Sequence, residues 1–177
     1  QNEKAFDSAS QRYPTSEQLA SRQANYYRKK LLTDKAIKAL ERISCPTTPE
    51  WHSEMLQCLI DKRRIPEAVV LCKEHWSTFS SDPDFAIAAL KVTARNLDAE
   101  TLAEIVKTCL TRFSNCIPVL IQCATALSAL GRQDEASRIQ KKLLEMKLSP
   151  SQRASIIYSL STKDPSLVYK QQIEHLI

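Results

Sequence analysis

Residues 118–147 read PVLIQCATALSALGRQDEASRIQKKLLEMK, and this stretch decides the fold. Proline is tolerated at the first position of a helix, where its fixed φ fits and its missing N–H is not needed, so Pro118 marks a start. Leu120, Ala124 and Leu127 follow at four- and three-residue spacing, as a buried helical stripe requires. Gly131 falls in the turn, and Asp134-Glu135-Ala136 opens a second helix carrying Gln140 and Leu143. The stretch is a helix pair, 118–130 and 132–147.

The same punctuation recurs along the chain. Pro14, Pro49, Pro83, Pro118 and Pro150 are separated by 35, 34, 35 and 32 residues. A period near ~34 residues marks helix–turn–helix repeats. The residues ahead of three of these prolines, Thr48, Asp82 and Ser149, suit helix N-caps, and Asp98 is a further N-cap candidate. The expected pairs are 15–30 with 33–44, 49–61 with 66–78, 83–95 with 98–112, and 118–130 with 132–147. These make four pairs over 14–150. Residues 150–160 and 165–177 form a shorter C-terminal pair that caps the array or serves as an interface. Residues 1–13, polar and aperiodic, are expected to be a frayed, flexible leader.

Composition supports an all-α reading. The chain has 177 residues and one glycine. Glycine supplies the positive φ of hairpins, bulges and phosphate loops, so hairpin-rich β folds, dinucleotide fingerprints and P-loops are nearly excluded. No apolar run approaches the ~18 residues of a membrane-spanning helix. The chain begins at Gln1 without a signal-peptide pattern and is expected to be a piece of a larger protein. Its six cysteines, Cys45, Cys58, Cys72, Cys109, Cys116 and Cys123, form no C-x-x-C pair. They are read as reduced thiols of an intracellular protein of the cytoplasm or nucleus, several packing as small hydrophobes.

The pairs overlay on one another. Ala20, Ala24, Tyr27, Ala36, Leu40 and Ile43 in the first match Leu120, Ala124, Leu127, Ala136, Gln140 and Leu143 in the fourth. The second set is His52, Leu56, Leu59, Ala68, Cys72 and His75. The third is Ala86, Leu90, Thr93, Leu102, Val106 and Cys109. This ladder resembles the tetratricopeptide repeat family, whose pattern is W-x2-L-G-x2-Y…A-x3-F…P. The resemblance implies an all-α, right-handed superhelical solenoid that acts as a protein-interaction scaffold. It departs from the family at Leu56 and Leu90, where glycine is preferred, and at Leu102, where alanine is. Those positions imply wider helix crossings or a non-standard subclass. Ala36-Ile37…Leu40…Ile43, Thr48-Pro49, Met55-Leu56…Leu59 and Lys73-Glu74 also look like the N-terminal repeats of a scaffold subunit of the anaphase-promoting complex. That narrower resemblance implies a subunit of a cell-cycle ubiquitin ligase that dimerises through its first repeats.

No catalytic or metal constellation stands out. His52, Cys58, Cys72 and His75 could be drawn as a zinc site, but every candidate lies inside a helix, and zinc sites usually bring a tight ligand pair from a turn. The histidines are read as partly buried packing residues. A Cys–His nucleophile would lack its elbow and oxyanion loop. Trp51 and Trp76 are read as core. Neither enzyme activity nor a cofactor is expected.

Repeats of this kind present the first helix of each pair on a concave face. The groove residues in this register include Ser21, Asn25, Arg28, Ser53, Gln57, Lys91 and Thr125, with Gln18, Glu50, Ile60, Asp84, Ile87, Ala94, Ile121 and Ser128 beside them. Some family members clamp a peptide carboxylate with paired Lys and Asn. Here Ser21 stands in the lysine's place, so that clamp is not expected. Cations recur at the turn inside each repeat: Arg28-Lys29-Lys30, Lys62-Arg63-Arg64, Arg95 and Arg132. They suit helix C-termini through the macrodipole. The alternative is a basic ridge for RNA or another polyanion. With 25 Lys+Arg against 20 Asp+Glu the net charge is +5, and no aromatic side chains interleave the ridge, so nucleic acid is the less favoured partner. The C-terminal residues Leu167, Val168, Ile173, Leu176 and Ile177 are apolar, and Ile173, Leu176 and Ile177 are expected to pack against a following repeat or form a homodimer. The expected partners are other protein subunits or peptide segments, without membrane insertion.

Overall fold

The computed structural model describes residues 2–96 and 98–161. Among them the chain forms ten helices and no strand: α1 (Asn2–Arg12), α2 (Glu17–Lys29), α3 (Thr33–Leu40), α4 (Pro49–Asp61), α5 (Ile65–Phe79), α6 (Pro83–Asn96), α7 (Ala99–Arg112), α8 (Ile117–Ala129), α9 (Gln133–Leu144) and α10 (Pro150–Ser161). The expected second helix of the last pair, with Ile173, Leu176 and Ile177, lies outside the described residues.

Local chemistry sets the helix starts. Asp82 Oδ1 accepts from the Phe85 N–H at 2.7 Å, and Asp98 Oδ1 from the Thr101 N–H at 3.0 Å. Ser149 and Gln152 form a reciprocal capping box at the start of α10. Thr48 differs: its hydroxyl makes no cap bond to α4 and donates to Glu17 of the preceding repeat. Glu17 also accepts from the Thr47 and Thr48 N–H groups at 3.0 and 2.8 Å and from the Thr47 hydroxyl at 3.0 Å. Burial alone would raise the Glu17 carboxyl. These hydrogen bonds outweigh it and hold the group below its ordinary range.

The first helices of the pairs, α2, α4, α6 and α8, pack in succession. Each second helix packs on its own partner and on the next first helix, except that α9 is followed by α10. The ladder read from the sequence is the core between these layers. Every position in it is buried except His75, which is half-buried. Leu56, Leu90 and Leu102 are fully buried, so the departures from the family pattern are filled with hydrocarbon. The aromatic residues of the second and third repeats form one cluster, with the His52 and His75 rings 4.1 Å apart and Phe79 4.8 Å from His52 and 5.6 Å from Phe85. Trp51 is buried, as expected, and Trp76 is half-buried.

Residues 2–12, read from the sequence as part of a frayed leader, form α1 and pack on α2. Phe6 lies 5.4 Å from the Tyr26 ring, and the Ser10 hydroxyl donates to Gln23 at 3.0 Å. Glu3 also pairs with Lys35 of α3 at 2.6 Å, and with Phe6 as the one aromatic anchor the apolar stripe is too narrow to register as a helical period.

Candidate protein-binding groove

Three successive first helices bring polar side chains onto one face. Glu54 on α4 accepts from Asn25 Nδ2 at 2.7 Å and from Arg28 Nη1 at 2.8 Å, both on α2. Arg28 also reaches Asp61 Oδ2 through Nε at 3.0 Å. One repeat further on, Lys91 Nζ on α6 donates to Gln57 Oε1 at 3.3 Å. Each bond spans 26–34 residues of sequence, close to one repeat, so stacking alone sets the register.

The charges respond to that enclosure. Burial would lower the Arg28 pKa, but Glu54 and Asp61 outweigh it and raise it. Lys91 is pushed down by burial and by the neighbouring Arg28 and Arg95 cations. Asp84, at the start of α6, is pushed up by burial and by Asp82, Glu54 and Glu50. The face therefore carries an acidic cluster at the α4 and α6 N-terminal ends and a basic one around Arg28, Lys91 and Arg95, suited to a segment of mixed charge.

Three of the expected groove residues, Ser21, Ser53 and Ile60, are buried. The Ser21 and Ser53 hydroxyls donate to Glu17 O and Pro49 O one helical turn back, at 2.9 and 2.7 Å. Thr125 is exposed on α8 and donates to Ile121 O. Asn25, Arg28, Gln57 and Lys91 are brought together. Glu54 and Asp61, absent from the sequence-based set, are the acids that hold Asn25 and Arg28 to α4. Their only signal was helical spacing from Gln57 on a face already assigned to the groove.

The turn cations are partly neutralised. Arg64 pairs with Glu67, and Arg132 with Glu135 at 2.7 Å, each three residues downstream. Lys62 pairs with Asp34 at 2.7 Å. Arg95 donates to its own helix at Lys91 O, and Lys29, Lys30 and Arg63 are exposed. The ridge is thus a set of mixed-charge turns.

Among the described residues no group of three or more His, Cys, Asp or Glu is placed to hold a metal ion. His52 donates Nδ1–H to Thr48 O at 2.8 Å, with the tautomer set by that carbonyl, and burial followed by the His75 charge lowers its pKa. All six thiols are free. Burial pushes Cys58 and Cys72 up to about 12, so both stay protonated at neutral pH. A hydrogen bond with Cys109, then burial, raises Cys123 as well. No helix among the described residues is long and apolar enough to cross a membrane.

Against known protein families and curated proteins the chain finds no match. Among solved structures it matches a thermophilic TPR protein from Thermus thermophilus, with a TM-score of 0.70, covering 91% of this chain and 94% of that one at 14% sequence identity. That likeness establishes the fold as an all-α, tetratricopeptide-like helical repeat. Folds of this class generally mediate protein–protein interaction on extended concave surfaces.

Proposed function

We propose that the chain is a non-catalytic scaffold that binds a protein segment of mixed charge across α2, α4 and α6. The observation that supports this is the set of bonds joining Asn25, Arg28, Glu54 and Asp61 in one repeat step and Gln57 with Lys91 in the next. These bonds preorganise donors and acceptors at repeat spacing before a partner arrives, which lowers the ordering cost of binding. The finer reading is a subunit of a multi-protein assembly resembling a cell-cycle ubiquitin-ligase scaffold, on the narrower sequence resemblance to the N-terminal repeats of anaphase-promoting complex subunit seven.

The test is affinity purification of the protein followed by mass spectrometry, with Lys91→Glu and Asn25→Ala variants alongside. Partners that bind the groove drop out with both variants while circular dichroism of the chain stays helical. Ubiquitin-ligase subunits among them support the finer reading, and other subunits retire it. A partner set unchanged by both variants overturns the groove. Capture abolished by ribonuclease, with affinity falling by about one log unit per phosphate contact against log salt, points to a polyanion instead.

A further inference from the structure

We propose that a second docking site lies on the outer face of the first two repeats and takes a peptide segment with a bulky apolar side chain flanked by Lys or Arg. The site is a surface pocket of about 400 Å³ between α3 and α5, floored by α4. That size falls within the roughly 300–1,000 Å³ of ordinary ligand pockets. Trp51, Met55 and Leu59 repeat every fourth residue along α4 and form the floor, with Ile37 and Leu71 at its sides. Helices α3 and α5 both pack on α4 and not on each other. Helix α3 is only 8 residues long, against 15, 14 and 12 in α5, α7 and α9. The floor is rigid: Trp51 Nε1–H donates to the Leu40 carbonyl at 3.0 Å, which fixes the indole against the last turn of α3.

The rim identifies the occupant. Glu41, Glu67 and Glu74 surround the opening with a single cation, Arg64, which is already paired with Glu67. Among the described residues neither Glu41 nor Glu74 has an ion-pair partner. The rim is therefore net acidic in a chain whose net charge is +5. Val70 on α5 lines the same opening and is 56% exposed, an apolar side chain left at the surface. An apolar floor inside an acidic rim matches a hydrophobic anchor between basic residues and repels anionic ligands. From Trp51 to Leu59 the floor runs about 12 Å along the helix, room for about four residues of extended peptide. Trp51, Met55 and Leu59 lie on a different face of α4 from Glu54, Gln57 and Asp61, so the pocket and the groove can be occupied independently.

The probes are acetyl-Arg-Lys-Phe-Leu-Lys-amide and its acidic counterpart, acetyl-Glu-Asp-Phe-Leu-Glu-amide, titrated into the 177-residue chain and followed by ¹⁵N-edited NMR. The basic peptide is expected to shift the Trp51 indole N–H and the Val70 and Leu71 amides, and the acidic one to leave them in place. Joint Glu41→Lys and Glu74→Lys substitution, both at exposed positions, weakens the basic peptide about tenfold without moving the unfolding midpoint. Lys91→Glu, which alters only the groove, leaves this binding unchanged and so separates the two sites. Equal shifts from both peptides, shifts confined to the groove residues, no shift from either, or no effect of the charge reversal would overturn the proposal. So would concentration-dependent shifts of the same signals without peptide, which would assign the pocket to a second copy of the chain.

Discussion

Leu31 and Arg63 hold the same place in successive repeats and the same left-handed backbone, with φ of 60° and 59°. Each follows the first helix of its pair. The next N–H closes the helix end by bonding five residues back, Leu32 to Tyr27 O and Arg64 to Leu59 O, both at 2.9 Å. Arg132 to Leu127 O repeats the pattern around Gly131, at φ 75°. This is the Schellman geometry, which favours glycine at the left-handed position.

Glycine at either non-glycine position should therefore stabilise the protein. The left-handed backbone costs an L-residue roughly 1–2 kcal/mol, and the added freedom of glycine in the unfolded chain returns part of that. Leu31→Gly and Arg63→Gly are each expected to gain about 0.5–1 kcal/mol in urea unfolding. Leu31 is 89% exposed, so little buried area is lost with its side chain. Gly131→Ala should lose about 1 kcal/mol through backbone strain alone, because a Cβ there meets nothing within 4 Å.

That regularity explains what the sequence disclosed. Proline spacing and the small-residue ladder are local constraints repeated several times, so the helix pairs and nearly all of the core were legible. Asp98 was readable as a cap because a cap is a contact over three residues. Glu54 and Asp61 were not, because their bonds to Arg28 cross 26 and 33 residues and leave no local pattern. Ser21 and Ser53 had the right register for the groove, yet register alone cannot tell a presented hydroxyl from one bonded to its own helix. Helix α1 was missed because Phe6, Ser10 and Glu3 attach it through an aromatic contact, a hydrogen bond and an ion pair, which leave no apolar period.

The link between the first two repeats should be measurable. Arg28 and Glu54 are 2.8 Å apart, with side chains 22% and 17% exposed, so their charge-assisted bonds are less screened than a surface pair. Arg28→Ala should cost about 1–2 kcal/mol. A double-mutant cycle with Glu54→Ala should show a coupling of about 0.5–1 kcal/mol in urea unfolding. A coupling near zero would mean that the bridge adds nothing to the stacking of α2 on α4.

Acid should unfold the protein in two windows. His52 lies below its ordinary pKa because it is buried, with His75 opposing its charge and Thr48 O and Glu17 favouring it. The unfolded chain thus takes up a proton before the folded one does. Stability is full above the ordinary value of 6.5 and falls as pH drops through it, by less than about 1.4 kcal/mol per pH unit. Glu17 is also depressed, so its contribution is present above its ordinary 4.5 and is lost as pH falls further. Urea midpoints measured between pH 7 and pH 2 should show both declines. His52→Gln should flatten the first, and Glu17→Gln the second.

The hardest test of the architecture falls on Leu90. In the first and fourth repeats alanine occupies this place, as Ala24 and Ala124, whereas the middle repeats carry Leu56 and Leu90, both fully buried. If the middle crossings are built around leucine, truncation leaves a hole that neighbours refill only in part. Leu90→Ala should then cost about 2–5 kcal/mol. The reverse change, Ala124→Leu, should cost about 1–3 kcal/mol by overpacking. Position adds a second effect. Helix α6 packs on α4, α5, α7 and α8, so it joins the N-terminal repeats to the C-terminal ones. Repeat arrays are stabilised by interfaces between neighbours, and weakening a central one uncouples the two sides. Leu90→Ala should therefore broaden the urea transition as well as shift it, while Gly131→Ala, in a turn nearer the end of the array, should shift the midpoint with the slope unchanged. Equal slopes for the two variants would show that the described repeats unfold as one unit irrespective of α6.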